Sequence, residues 1–365
     1  MNYQYGNREF SITRYPSSTN KSLTAWNAAD EYILKYIDEN KTNTKDILIY
    51  NDRFGFLSLF LSESKPKAII ESKSQEKAIN QNLISNNVEL KNFEFLTPFQ
   101  DLKLSVETII IKVPKSAELF RFYLEHLSEV LTANSVVICG FMTKYFTPQI
   151  LEIANKYFEL AEQTLALKKS RLLILKNPKK TTKASIINEI KLNDKISLKQ
   201  YSSVFSSKNI DYATQFLIDN INLKETDKKV LDLGSGNGVL ACVIKGKNEN
   251  CEIHLLDDSL LAIESSKLNI SGENIHFHYN DNLKEFDDNY FDFIVSNPPF
   301  HFEHETNIEI AISLFEEAVR CLKRDGHLQL VANKHLNYKT HLIKIFENVE
   351  ITAENEKFVI YDCFF

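Results

Sequence analysis

The stretch Val230-Leu-Asp-Leu-Gly-Ser-Gly-Asn-Gly-Val-Leu240 decides how this chain is read. The apolar run Lys229–Leu233 ends in glycines at positions 234, 236 and 238, and a second apolar run follows at once. This is the signature of a strand, a tight turn and a helix. Glycines in such a turn allow left-handed backbone and close approach of a ligand to the main chain.

Outward from this loop, strands and helices alternate. Glu252–Leu256, Ile275–Tyr279, Phe291–Val295, His327–Val331 and Phe358–Phe365 read as strands. Gly238–Lys245, Ser259–Asn269 and Ile308–Leu322 read as helices, with a helical turn at His341–Phe346. Such alternation predicts an α/β fold with an open, mostly parallel sheet covered on both faces.

The first half repeats the design. Ile47-Leu-Ile-Tyr-Asn-Asp-Arg-Phe-Gly-Phe-Leu57 lies on Val230–Leu240 without a gap, and Gly55 meets Gly238. Ala68–Glu71, Thr108–Pro114, Ser135–Cys139 and Arg171–Leu175 match later strands of the second half, so a duplicated domain is expected. In the first copy Asn51 and Arg53 replace Gly234 and Gly236, Ser72 stands near the place of Asp257, and Val113-Pro-Lys-Ser116 stands for Asn297-Pro-Pro-Phe300. The first copy should keep the fold and lose the ligand. The expected boundaries are residues 1–180, a linker at 181–200 within the polar, Pro178-containing connection, and residues 201–365.

Bulk properties bound the function. The chain has 365 residues, 43% hydrophobic and 25% charged, ordinary for a soluble two-domain protein. Its start lacks a signal-type apolar core, and no apolar run reaches the ~20 residues of a bilayer span. Five scattered cysteines without C-x-x-C spacing fit a reduced, cytoplasmic protein without a metal. Residues 1–190 carry 25 Lys and Arg against 21 Asp and Glu, a balance of +4; residues 191–365 carry 18 against 28, a balance of −10. A basic first half suits a polyanion. Lys168, Lys169 and Arg171 open a run to Lys183 with seven cations and no acid, a candidate RNA contact or a solvated linker.

The glycine spacing separates two kinds of ligand. A dinucleotide loop reads Gly-x-Gly-x-x-Gly, whereas position 239 is Val and the third glycine comes at 238. Asp232-x-Gly-x-Gly-x-Gly238 is the pattern of S-adenosylmethionine enzymes. Asp257, at the end of the second strand, is placed for the ribose hydroxyls, with Asp258 beside it or capping the next helix. Asp232 can face the methionine end. Asn280 and Asp281 are candidates for adenine.

Asn297-Pro-Pro-Phe300 follows the fourth strand. An exocyclic amine is a weak nucleophile because its lone pair is delocalised into the ring. The Asn297 side-chain oxygen and the Pro298 carbonyl can accept its two N–H bonds, Pro298 and Pro299 stiffen the turn, and Phe300 can stack on the base. Asn297 also borders the cofactor. Catalysis is then mainly positioning. His301 could contact the base or RNA, or be structural. Glu303, His304 and Glu305 form no convincing metal set.

With these residues, the chain resembles the bacterial ribosomal RNA guanine-N2 methyltransferases of the small-subunit and large-subunit types. The motif is Asn297-Pro-Pro-Phe-His301, and Val204-Phe-Ser206 with Asp211 resembles the family's Phe-Ser-Arg segment, Ser207 replacing the arginine. Ala25–Tyr32, Leu48–Gly55, Ile111–Lys115 and Val331–His335 resemble the large-subunit branch. The resemblance implies two tandem class I methyltransferase (Rossmann-like) domains, the first degenerate and RNA-binding. It also implies S-adenosylmethionine-dependent methylation of one guanine N2 in 23S rRNA, by a cytoplasmic monomer. The alternatives are 16S rRNA, another amine (adenine N6 or a protein glutamine), and a non-enzymatic RNA-binding assembly factor.

Overall fold

The structure is a computed structural model. It describes all residues except 19, 21, 103–105, 129, 181–184, 193–196, 203, 205–209, 299–300, 303–304 and 307, and the side chains of 92, 301, 302, 305 and 306. The chain divides into two compact units, Met1–Ser185 and Ile186–Phe365.

In the second unit a seven-stranded sheet runs, edge to edge, Ile275–Tyr279, Glu252–Asp257, Lys229–Leu233, Phe291–Ser296, Leu322–Asn333, Phe358–Phe364 and Asn348–Glu354. The first five strands are parallel and the last two join antiparallel. Side chains alternate across each strand, so one sheet feeds two cores. Leu231, Leu233 and Ile294 pack with Phe315 on one side. Val230, Phe293 and Val295 pack with Leu217 and Leu240 on the other.

The first unit has the same spatial order: Glu94–Leu96, Lys67–Ile69, Leu48–Tyr50, Val106–Lys112, Leu131–Met142, Ser170–Pro178 and Phe158–Gln163. The duplication therefore extends to topology. Gly55 (φ 79°, ψ 22°) and Gly238 (φ 77°, ψ 18°) are both left-handed residues opening a helix. A Cβ on either would lie 3.2–3.3 Å from the helix or strand behind it, at Ile79 in one copy and at Leu255 and Ser266 in the other.

Strand register corrects two correspondences between the copies. Leu48 pairs with Lys67 as Leu231 pairs with His254, so Ile70 occupies the place of Asp257. Ser72 instead matches Ser259. Each caps the following helix, accepting from Gln75 N–H and Ala262 N–H respectively. On the other side Tyr50 pairs with Ile111 and Leu233 with Ser296, so the next residues, Lys112 and Asn297, correspond. Counting along the chain misplaces both because the loops between strands differ in length.

Residues 181–200, expected to be a linker, contain most of a hairpin instead. Ile187–Lys191 pairs antiparallel with Ser197–Tyr201. Ile190 and Leu198 are buried in the core of the second unit, so the hairpin is part of that unit. Its short strands carry too few apolar residues to stand out from the polar stretch around them. The helix Tyr212–Asp219 and the strand Asn348–Glu354 were likewise not expected.

All five cysteines are free. Among the described residues no helix is long and apolar enough to cross a membrane.

Candidate active site

Parallel strands of an open sheet leave a crevice at their C-terminal ends, where ligands bind. Four adjacent strands here end in Asn280, Asp257, the 234–238 loop and Asn297. The structure thus brings the predicted cofactor residues to one end of one sheet in the second unit.

The loop is held from below. Gly234 and Ser235 donate their N–H groups to the Leu256 carbonyl at 2.9 and 3.1 Å, and Gly238 N–H donates to Ser235 at 2.8 Å. Gly234, Gly236 and Gly238 all have positive φ. A Cβ on Gly236 would meet nothing within 4 Å, so this glycine borders open space. The hairpin that was read as a linker supports the loop: Gln200 Oε1 accepts from Asn237 Nδ2 at 2.7 Å, both residues being buried.

Asp257 ties the second strand to the loop. Its Oδ2 accepts from Gly236 N–H at 2.9 Å and its Oδ1 from Ser259 N–H at 2.8 Å. Burial raises its carboxyl to about 6 against the pull of those two donors. Asp232 is fully buried, and its Oδ2 accepts from Ala241 N–H at 3.1 Å. Burial, with a smaller push from Asp257, holds its carboxyl well above the usual carboxylate range. A buried acid in this state gains from a cationic or hydrogen-bonding ligand.

Asn280 donates its N–H to the Asp257 carbonyl at 3.2 Å, and its Oδ1 accepts from Asp281 N–H at 3.0 Å. Asp281 in turn accepts from Asn282 Nδ2 at 2.9 Å. These contacts hold the loop beyond Tyr279 in a fixed shape beside Asp257.

Asn297 shows the clearest geometry. Its Nδ2 donates to Thr214 Oγ1 at 2.7 Å and to Asp211 Oδ2 at 3.3 Å. A carboxylate only accepts, so Asp211 fixes which end of the amide turns toward the helix Tyr212–Asp219. The Asn297 Oδ1 is left buried without a partner. Buried orphan acceptors are rare and call for a donor. Pro298 is buried behind it. Pro299 and Phe300 lie outside the described residues. His301 begins a two-residue strand paired with Glu305–Thr306.

Asp211 entered the sequence reading only through the family-like segment, with no role assigned, and Thr214 did not enter it. Asp211 caps the helix Tyr212–Asp219, accepting from Ala213 and Thr214 N–H. Its second task depends on a residue 86 positions away.

Asp232 Oδ1, Ser235 Oγ and Asn297 Oδ1, all at or next to the C-terminal ends of adjacent strands, are buried and unpartnered. This set fits a ligand with an amine, a nucleoside and an unphosphorylated ribose.

Of the predicted RNA contacts, Lys168 and Lys169 sit exposed with positive φ in the turn before Ser170–Pro178. Lys168 Nζ pairs with Glu31 at 2.8 Å, and Arg171 donates to Gln163 at 3.2 Å. Neither of these two cations is a bare charge.

Comparison with known proteins agrees with the fold and places the chain in a family. A family model described as the RLMG N-terminal domain matches residues 1–181, and one described as the methyltransferase small domain matches residues 195–362. The ribosomal RNA large subunit methyltransferase G of Pseudoalteromonas translucida is 30% identical, over 99% of this chain and 97% of that protein. Its namesake from Psychromonas ingrahamii is 33% identical, over 96% and 95%. Among solved structures, a 16S rRNA N2 methyltransferase of T. thermophilus, in complex with AdoMet and guanosine, covers 100% of this chain and 97% of its own with a TM-score of 0.76. At 16% identity that likeness speaks for the tandem fold. With relatives matched over nearly their whole length, this chain belongs to the ribosomal RNA large subunit methyltransferase G family.

Proposed function

We propose that the protein methylates the exocyclic N2 of one guanine in 23S rRNA, using S-adenosylmethionine. The observation that carries this reading is Asn297: an amide pinned through its nitrogen, with its oxygen buried and unpaired. The names of the relatives support ribosomal RNA of the large subunit as the substrate, and the solved relative's guanosine supports the base.

Gly234, Gly236 and Gly238 would line the cofactor, Asp257 would take the ribose hydroxyls, Asp232 the methionine amine, and Asn280 and Asp281 the adenine. When bound, S-adenosylmethionine supplies a methyl group already activated on a sulfonium. The protein's own task is to aim the amine. Asn297 Oδ1 accepts one N–H of the guanine N2 and the Pro298 carbonyl the other, which turns the nitrogen lone pair out of conjugation. Preorganised acceptors of this kind cost no rearrangement during the reaction. In this reading Pro299 limits the conformations of the motif and Phe300 stacks on the base. The guanine must leave its stack, at a cost of a few kcal/mol that is least in unstructured RNA.

The first unit, with Ile70 for Asp257 and Lys112 for Asn297, holds RNA rather than cofactor in this reading, with Lys168, Lys169 and Arg171 as contacts, while His301 of the second unit meets the base or RNA beside the motif. The protein acts as a cytoplasmic monomer.

The test supplies S-adenosylmethionine carrying a labelled methyl group with protein-free 23S and 16S rRNA, followed by nuclease digestion and mass spectrometry. One N2-methylguanine in 23S rRNA is expected. Label on adenine N6, on 16S rRNA or on neither RNA overturns the assignment.

A further inference from the structure

Four histidines and acids not used above gather where two strands begin. Glu252 and His254 lie on one face of Glu252–Asp257, and His276 and His278 lie beside them on the edge strand Ile275–Tyr279. One ligand atom from each of Glu252, His254 and His276 lies within 4.8 Å of the other two. Glu252 Oε1 is 3.0 Å from His254 Nε2 and 3.8 Å from His276 Nε2. A tetrahedral ion with bonds of about 2.0–2.1 Å spaces its ligand atoms roughly 3.4 Å apart, between these two values.

Proton bookkeeping points the same way. His278 Nδ1 faces the Glu285 carboxylate at 3.3 Å, so that nitrogen carries a proton. In neutral His278 the other nitrogen, Nε2, is then an acceptor. It lies 2.9 Å from His254 Nδ1, which must donate to it. The remaining His254 nitrogen, Nε2, is left with a lone pair aimed at a carboxylate oxygen 3.0 Å away. Two lone pairs at that distance repel. A positive partner at His254 Nε2 relieves this, either the Tyr290 hydroxyl hydrogen at a long 3.5 Å or a metal ion. His254 is only 5% exposed, so its ring sits largely away from solvent. The Glu285–His278–His254 relay is the outer-sphere support that metal-bound histidines use.

The other copy shows how this edge is joined without such a set. By register Lys67 stands for His254 and Glu94 for His276; the two are cross-strand partners with an ion pair at 3.8 Å. The second copy has exchanged a lysine and an acid for two imidazoles and added Glu252. Lys229 lies 3.9 Å from Glu252 Oε2, which leaves Oε1 toward the histidines. Tyr290 Oη donates to that Oε1 at 3.0 Å and can remain as a partner of its second lone pair.

We propose that Glu252, His254 and His276 bind one divalent transition ion of the zinc class, with water in the fourth position, clamping the edge strand to its neighbour. The site lies at the opposite end of its strand from Asp257, and stands apart from the methyl-transfer site. Two imidazoles and one carboxylate suit zinc rather than magnesium or calcium.

The test uses the full chain, stripped with chelator, loaded with zinc and passed through gel filtration. One equivalent of zinc is expected to be retained, with a higher melting temperature than the stripped protein. Cobalt is expected to give the intense visible bands of a four-coordinate site. His276 is 43% exposed at its side chain, so His276→Gln should fold normally and lose the retained equivalent. His278→Gln should weaken zinc binding by about 10–100-fold. No retained zinc in the wild-type chain overturns the proposal. Retention unchanged in both His276→Gln and Glu252→Gln also overturns it, because the ion would then sit elsewhere. All of these readouts are independent of methylation.

Discussion

The Lys112 ammonium lies 3.0 Å from Asp30 Oδ1, a carboxylate on the helix Ala28–Glu39 with no exposure to solvent. Lys112 holds the register place of Asn297, so the first copy fills with an ion pair the position where the second presents an open acceptor. Burial raises the Asp30 carboxyl, and Lys112 is the main influence lowering it. Truncating one partner of a buried pair costs about 3–5 kcal/mol, whereas replacing both by apolar groups is close to neutral. Lys112→Ala is expected to destabilise the first unit by that amount. The double change Asp30→Asn with Lys112→Met, which keeps an acceptor for the Asn27 N–H, should recover most of it. Denaturant unfolding of the three proteins checks this.

Asn297→Ala should lower single-turnover methylation by about 10²–10³-fold, the loss seen when one preorganised partner is removed, while S-adenosylmethionine affinity stays near that of the wild type. Thr214→Val keeps the shape of its side chain and removes the 2.7 Å contact to Nδ2. It should reduce kcat more than it raises KM, because the amide loses its aim and the substrate keeps its other contacts. Equal kcat in Thr214→Val would show that Asp211 alone orients Asn297.

Cofactor affinity should depend on pH through Asp257. Its carboxyl is raised to about 6, chiefly by burial. The ionised form accepts ribose hydroxyls best, so affinity should be full above that value and decline as pH falls through it. Titration calorimetry between pH 5 and 8 should show this slope. Asp257→Ala should bind more weakly at pH 7 and lose the slope.

Gly236→Ala and Gly238→Ala should fail differently. Gly236 has φ +55° with open space on its Cβ side, so alanine costs about 1–2 kcal/mol of backbone strain and pushes a methyl group into the ligand's space. Gly238 has φ +77° and contacts at 3.2 Å on Leu255 and Ser266, so alanine there strains the backbone and the packing together. Gly236→Ala is expected to be the milder in melting temperature and severe in cofactor affinity. Gly238→Ala should lower both.

Much of this was legible before any coordinates. The Val230–Leu240 stretch announced strand, loop and helix because each of its parts obeys a local rule. Asp257 was singled out by counting from it and Asn297 by its rigid neighbours, and both stand at strand ends beside the loop. What could not be read was set by pairing across the sheet. Ile70 and Lys112 emerge as counterparts of Asp257 and Asn297 only through strand register, which unequal loops hide. Gln200 and Thr214 serve the site through hydrogen bonds to residues 37 and 83 positions away. Hydroxyls and amides carry no periodic signal, so neither stood out. The hairpin of Ile187–Lys191 and Ser197–Tyr201 was hidden for a related reason: its core contribution rests on single buried residues such as Ile190 and Leu198.

The duplicated left-handed glycine has one further consequence. Each copy serves as a control experiment on the other, performed within one polypeptide. Gly55 and Ser72 persist in the copy that lacks Asn297 and Asp257, so Gly238 and Ser259 are requirements of folding. Gly236, Asp257 and Asn297 lack counterparts of their own kind, so the fold of the first unit stands without them. A designer wishing to silence this protein while keeping its architecture could therefore copy the first unit's choices at those three positions and leave the other two alone.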